Sequence, residues 1–205
     1  DKDTLGVKNY NFKGETVKLI TGQNVYESNN FIKSLIFEAS IVSNNKIVVI
    51  DAMDFIDLNS DKFILYNSNF DVVNERITSY VNNINSSSSY QPYLFILIGL
   101  DKYKEKVNEE AFTKFTETLI LSKNLNDINF IIMDELDNIG KFDYDEWYTT
   151  CIKTNDFIWI GNGINEQYKL SVSQISHREE IDEGFGFVVE NSKATLVKLI
   201  DFFEE

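Results

Sequence analysis

Residues 22–29, "GQNVYESN", stand between an apolar run and an amphipathic one, where a phosphate-binding loop would stand. Such a loop follows the pattern G-x-x-x-x-G-K-[ST]. Its glycines let backbone N–H groups wrap a phosphate, its lysine neutralises the charge, and its hydroxyl holds Mg²⁺. Laid on that template, Gly22 is the first glycine, Glu27 replaces the second, Ser28 replaces the lysine and Asn29 replaces the hydroxyl. The changes act against an anion. Ser28 removes a positive charge, and Glu27 adds a negative one that costs roughly 4 kcal/mol against a like charge at about 4 Å in a medium of dielectric about 20. Glu27 also brings a Cβ where glycine supplies unusual backbone angles. Ser28, Asn29 and Asn30 read more economically as ordinary helix caps.

A hydrolytic site of this kind also needs an acid pair closing an apolar strand, one carboxylate on Mg²⁺ and one polarising water. "YLFILIGLDKY" is the strand in the right order, but Gly99 and Leu100 occupy the acid positions. A slide of two residues recovers Asp101 and puts Lys102 where the second acid belongs. Asp134 and Glu135 do close "NFIIMD", one helix and one strand later, where phosphate-loop motors place a polar sensor residue; they read as a strand cap on an acidic rim. Asp51 and Asp54 offer a carboxylate pair, although acids after "KIVVI" read first as turn residues. Gly161, Asn162 and Gly163 read as a turn. The lone Cys151 and lone His177 exclude an internal disulfide and any Cys-based or multi-His metal set. No metal site and no catalytic residue is expected.

The elements that would position these groups alternate in type. Residues 16–21, Lys46–Asp51, Tyr93–Ile98, "NFIIMD" and "FIWIGNG" read as buried strands, with Phe63–Tyr66 as an edge strand. Between them lie a helix over Asn29–Val42, with Phe31, Leu35, Ala39 and Val42 inward, and a helical spacing of Val73, Ile77, Tyr80 or Val81, and Ile84. Two more helices follow, over Glu109–Ser122 with Phe112, Phe115 and Leu119 inward, and around residues 144–152. The chain closes on a hairpin, Phe185–Glu190 against residues 194–200, about the turn Asn191, Ser192 and Lys193. Ser86–Ser89 read as a loop, and Pro92 stands just ahead of a strand. Strands apolar on both faces and separated by helices predict an α/β fold, a mainly parallel central sheet covered on each side. Ligands bind such sheets at the carboxyl ends of the strands, where Gly22, Asp51, Asp101 and Asp134 fall.

Length and charge narrow the functional classes. A chain of 205 residues fits one domain with a real core, and its 43% hydrophobic and 25% charged content is that of a globular protein. No apolar run reaches the length of a membrane span. With 33 acidic against 19 basic residues, the net charge of −14 repels nucleic-acid phosphates and anionic lipid. Neither nucleic acid nor direct membrane contact is therefore expected. The chain begins at Asp1 with no initiator Met and is read as a single domain, residues 1–205, cut from a longer protein.

Taken in order, "GQNVYESNN", "YLFILIGLDKY", "NFIIMDELDN", "NDFIWIGNGINEQYKL" and "GFGFVVENSKATLVKLI" resemble the FtsK/SpoIIIE family of phosphate-loop ATPases, over roughly residues 16–200. The likeness is to the last, C-terminal ATPase domain of the membrane-anchored motors of type VII secretion. It implies a RecA-like fold on the cytoplasmic side of a bacterial membrane, among other ATPase domains of the same chain. Motors similar to this export small helical Trp-X-Gly proteins, and their last domain is implicated in engaging them. The departures at Gly22, Glu27, Ser28, Asn29 and Asp101 imply weak or absent ATP and Mg²⁺ binding, and so a recognition or regulatory domain. A second reading is an active ATPase whose site is completed by a neighbouring domain. A third is a generic doubly wound, Mg²⁺-binding or receiver-like domain using Asp51, Asp54 and Asp101.

Overall fold

The computed structural model describes residues 17–42, 46–57, 61–83, 93–123, 125, 128–177 and 180–199. The readings on Ile84, on Ser86–Ser89, on Pro92 and on the last residue of the hairpin lie outside them. Nine strands form one sheet in the order β3-β2-β4-β5-β1-β6-β8-β9-β7. They are β1 (Val17–Gly22), β2 (Lys46–Asp51), β3 (Phe63–Tyr66), β4 (Tyr93–Ile98), β5 (Ile128–Met133), β6 (Phe157–Ile160), β7 (Gln174–Ile175), β8 (Phe185–Glu190) and β9 (Lys193–Lys198). Strands β1 to β6 pair in parallel, and β8 joins β6 antiparallel before turning into β9. This is the α/β architecture with a closing hairpin that the apolar pattern predicts.

The strands are buried on both faces because each face carries its own apolar layer. Val48, Phe95, Phe130 and Trp159 face one layer, covered by α2 (Phe70–Asn83), α4 (Glu109–Ser122) and α6 (Glu146–Cys151). Ile20, Val49, Ile96 and Ile131 face the other, under α1 (Asn29–Val42). Phe112, Phe115 and Leu119 turn inward on α4 as expected, and Asn108 caps its start by accepting the Ala111 N–H at 2.8 Å. Cys151 packs in the first layer, where burial pushes its thiol up to about 11.

Two expectations need correction. On α1 the buried line is Ile32 and Ile36, while Phe31, Leu35 and Ala39 are only half-buried on its flank. Adjacent apolar pairs, Phe31 with Ile32 and Leu35 with Ile36, offer periodicity two neighbouring stripes about 100° apart. The second stripe is the one that turns fully inward. The helix expected over residues 144–152 is shorter, starting at Glu146 after Asp145 in extended conformation. Three elements carry too little periodicity to be read from the chain: α3 (Leu100–Lys106), the single-turn α5 (Leu136–Ile139) and the two-residue β7. Gly99 makes α3 possible, since its φ of +80° turns the chain from β4 straight into helix.

Strand order sets up the site. β5 is inserted between β1 and β4, with Ile20 opposite Met133 and Ile98 opposite Met133 on the far side. Asp134, the first residue past β5, is thereby brought between the loop after β1 and the turn after β4.

Candidate functional site

Gly22 ends β1 with β6 pressed against it: a Cβ there would lie 2.5 Å from the Ile160 carbonyl oxygen. Close strand approach alone therefore accounts for this glycine. The next residues do not form an open cradle. Val25–Glu27 wind into a 3₁₀ turn, in which the Glu27 N–H donates to the Asn24 carbonyl at 3.2 Å and the Ser28 N–H to the Val25 carbonyl at 3.3 Å. In a phosphate loop such N–H groups face the ligand. Here they close on the loop itself, and Val25 drops fully into the core. Asn29 opens α1.

The loop is fastened by Tyr26. Its ring meets Phe55 edge-on, with centroids 5.8 Å apart, and its hydroxyl donates to Asp134 Oδ1 at 2.8 Å. Burial, and then the Asp134 carboxylate, hold the phenol well above its ordinary pKa, so it stays a donor at any physiological pH. Asp134 is itself 1% exposed. Its Oδ1 also accepts the Glu135 N–H at 2.8 Å and Asn138 Nδ2 at 2.9 Å, and its Oδ2 accepts the Asp101 N–H at 2.9 Å. One carboxylate thus ties together the β1 loop, the start of α3 and the start of α5. Glu135 lies at the rim, its pKa raised by burial and then by Asp134, Asp137 and Glu27 around it.

Asp101 sits in the first turn of α3, past the end of β4, and its carboxylate pairs with Lys141. Gly99 and Leu100 hold the positions that directly close the strand, and Leu100 is fully buried. Asp51 is held by its own turn. It accepts the N–H groups of Met53 at 3.0 Å and of Phe55 and Ile56 at 2.6 Å each. Asp54 turns outward at positive φ and meets Asn67. Among the described residues no group of three His, Cys, Asp or Glu could hold a metal ion. Asn162 clamps residue 181 from both sides, accepting the Ile181 N–H at 2.8 Å and donating to its carbonyl at 2.9 Å.

Between the β1 loop and that clamp lies a cleft of about 290 Å³. Its described walls carry the carboxylates of Glu27, Asp182 and Glu183 and no lysine or arginine. An anion entering it meets repulsion from three sides, whereas a cation meets none.

Gly22, Asp101 and Asp134 are brought to one edge, as read from the chain, with Glu27 and Ser28 in the loop above. The apolar residues near that edge pack inward: Val25, Tyr103 and Phe142 are fully buried, and Tyr26 is half-buried and bonded to Asp134. Tyr26, Lys141 and Asn162 were not singled out for these roles. Only their placement beside Asp134, Asp101 and Ile181 reveals them, and no local pattern encodes contacts of that span.

No family model and no curated protein matches the sequence. Solved structures do match by shape. The cytoplasmic domain of EssC superposes with a TM-score of 0.66 at 17% identity, over 94% of this chain and 41% of that one. EssC ATPases 2 and 3 from Geobacillus thermodenitrificans give 0.71 at 15% identity, over 94% and 38%. The cytoplasmic domain of the Thermomonospora curvata type VII secretion ATPase EccC gives 0.60 at 13%, over 95% and 25%. This chain therefore has the RecA-like fold of the ATPase domains in these motors, and it spans well under half the length of each.

Proposed function

We propose that this RecA-like domain is the C-terminal, degenerate ATPase domain of a type VII secretion motor, with a recognition or regulatory role and weak or no binding of ATP and Mg²⁺. The observation that carries the reading is the closed β1 loop, whose Glu27 and Ser28 N–H groups bond their own turn while Tyr26 locks onto Asp134. Charge adds to it, since Glu27 faces the cleft where a phosphate would enter and no basic side chain lines that cleft among the described residues. In this reading the partners are the other ATPase domains of the same chain and the secreted helical Trp-X-Gly proteins. The domain works on the cytoplasmic side of the membrane, held there by segments elsewhere in the motor, without touching lipid or nucleic acid itself.

Titration with MgATP tests it. A competent site at a ligand concentration about a hundred times its Kd stabilises the fold by about 2.7 kcal/mol. We expect no thermal shift and no heat of binding. A clear stabilisation that disappears on changing Gly22 or Ser28 would replace this reading with that of an ATPase.

A further inference from the structure

Asn162 and Gly163, just past β6, make the one Asn-Gly step in the chain. In such a step the glycine nitrogen reaches the asparagine side chain with no Cβ beside it to hinder the approach. The fold demands both residues. Gly163 sits at a φ of +86°, and an added Cβ would lie 2.3 Å from the Gln23 side chain, so any other residue is strained there. Asn162 supplies both the acceptor and the donor that grip Ile181, and an ionised aspartate in its place would have no donor. A labile dipeptide is therefore built into the turn by its geometry.

The two reacting groups are held differently. Gly163 is half-buried, and its N–H donates no hydrogen bond among the described residues. The nucleophile is thus unengaged. Asn162 stands at the exposed surface, yet both polar atoms on its Cγ are committed to Ile181, at 2.8 and 2.9 Å. Attack makes Cγ tetrahedral and expels Nδ2, so the planar amide that those two bonds fix has to be given up first. Ile181 in turn is anchored by its side chain, buried in the first apolar layer.

We propose that Asn162 is a site of spontaneous deamidation gated by its own clamp, and that conversion irreversibly frees the segment beginning at Ile181. When the clamp opens, the Gly163 nitrogen gives up its proton to solvent and bonds to Asn162 Cγ. The Cγ–Nδ2 bond breaks, and ammonia leaves with a proton taken from solvent. Water then opens the five-membered succinimide at either carbonyl, to aspartate or isoaspartate. In the aspartate product a carboxylate faces the Ile181 carbonyl with no donor between them, so the clamp does not re-form. That carboxylate also joins Glu27, Asp182 and Glu183 on the wall of the acidic cleft. Isoaspartate reroutes the main chain through the former side chain, beside the carbonyl that Trp159 Nε1 holds at 2.9 Å. The site is independent of what the domain recognises, and the MgATP titration does not bear on it.

The test is incubation of the full chain at neutral pH, native and in urea, with the tryptic peptide of residues 154–169 followed by tandem mass spectrometry. Conversion at Asn162 is expected in both, at least tenfold slower in the native chain. Ile181→Ala, which loosens the anchor and leaves Asn162 and Gly163 untouched, should quicken the native reaction threefold or more and leave the rate in urea unchanged. Asn162→Asp stands in for one product and needs no incubation. In it, amide hydrogen exchange at Ile181 and through residues 182–184 should quicken at least tenfold. Equal rates in the native and unfolded chain, or no conversion at Asn162 in either, would overturn the proposal. So would a native rate indifferent to Ile181→Ala, or exchange at residues 181–184 unchanged by Asn162→Asp.

Discussion

Asp51 and Asp134 are both carboxylates that fall at the ends of central parallel strands, and both are out of contact with water. Asp51 spends its oxygens on three N–H groups within five residues of itself, rounding off the turn after β2. Asp134 reaches Tyr26, 108 residues away, and the Asp101 N–H, 33 residues away, as well as its own helix start. One shapes a loop, and the other fixes loops to one another. The same residue type, placed two strands over, changes from a local cap to a junction because its neighbours come from three segments of chain.

The contrast can be broken by substitution. Asp134→Ala should have the largest effect, about 4 kcal/mol in chemical denaturation, because it strands four donors in the interior. Hydrogen exchange should then quicken together in the β1 loop, at the start of α3 and through α5. Asp51→Ala should cost about 2 kcal/mol, with faster exchange confined to Met53, Phe55 and Ile56. Exchange that spreads equally widely in both variants would erase the distinction. Tyr26→Phe should cost about 1.5 kcal/mol, a hydrogen bond to a charged acceptor. It also carries a pH signature. Tyr26 ionises in the fold far above its ordinary value of 10.0, so its contribution is complete below that value and falls as pH rises beyond it. The phenylalanine variant should lose stability less steeply than the parent above pH 10.

The smallest expected effect has the opposite sign. The pKa of Glu135 is raised, so its charged form opposes folding; the favourable contribution exists below the unfolded pKa and is lost as pH rises through the folded one. Glu135→Gln should therefore raise Tm at neutral pH and leave it unchanged at acid pH, where the parent is already protonated. A rise at both would mean that the amide adds contacts of its own.

The sheet was legible because two-sided burial writes itself into unbroken apolar runs such as "KIVVI" and "YLFILI". The loop was legible as a departure from a template, position by position, down to the misplaced charge of Glu27. What fastens the loop was not. Tyr26 reads as one aromatic among ten tyrosines until β5 brings Asp134 beneath it. Likewise "LDKYKEK" has only Leu100 and Tyr103 turned inward, too few for a period, and needs Gly99 in its left-handed conformation to begin. The inward face of α1 was misjudged for a related reason, since its two adjacent stripes were equally apolar and nothing local to the helix tells them apart.

The closing hairpin has a mechanical meaning. Since β8 reverses against β6 and β9 reverses again, β9 runs in the same direction as β1. The described chain enters the sheet at the amino edge of β1 and leaves at the carboxyl edge of β9. Tension between those two points acts along the strands and loads the bonds of β6, β8 and β9 in shear, all at once, instead of peeling them one by one. A fold strung this way can carry a pull from end to end and keep its shape.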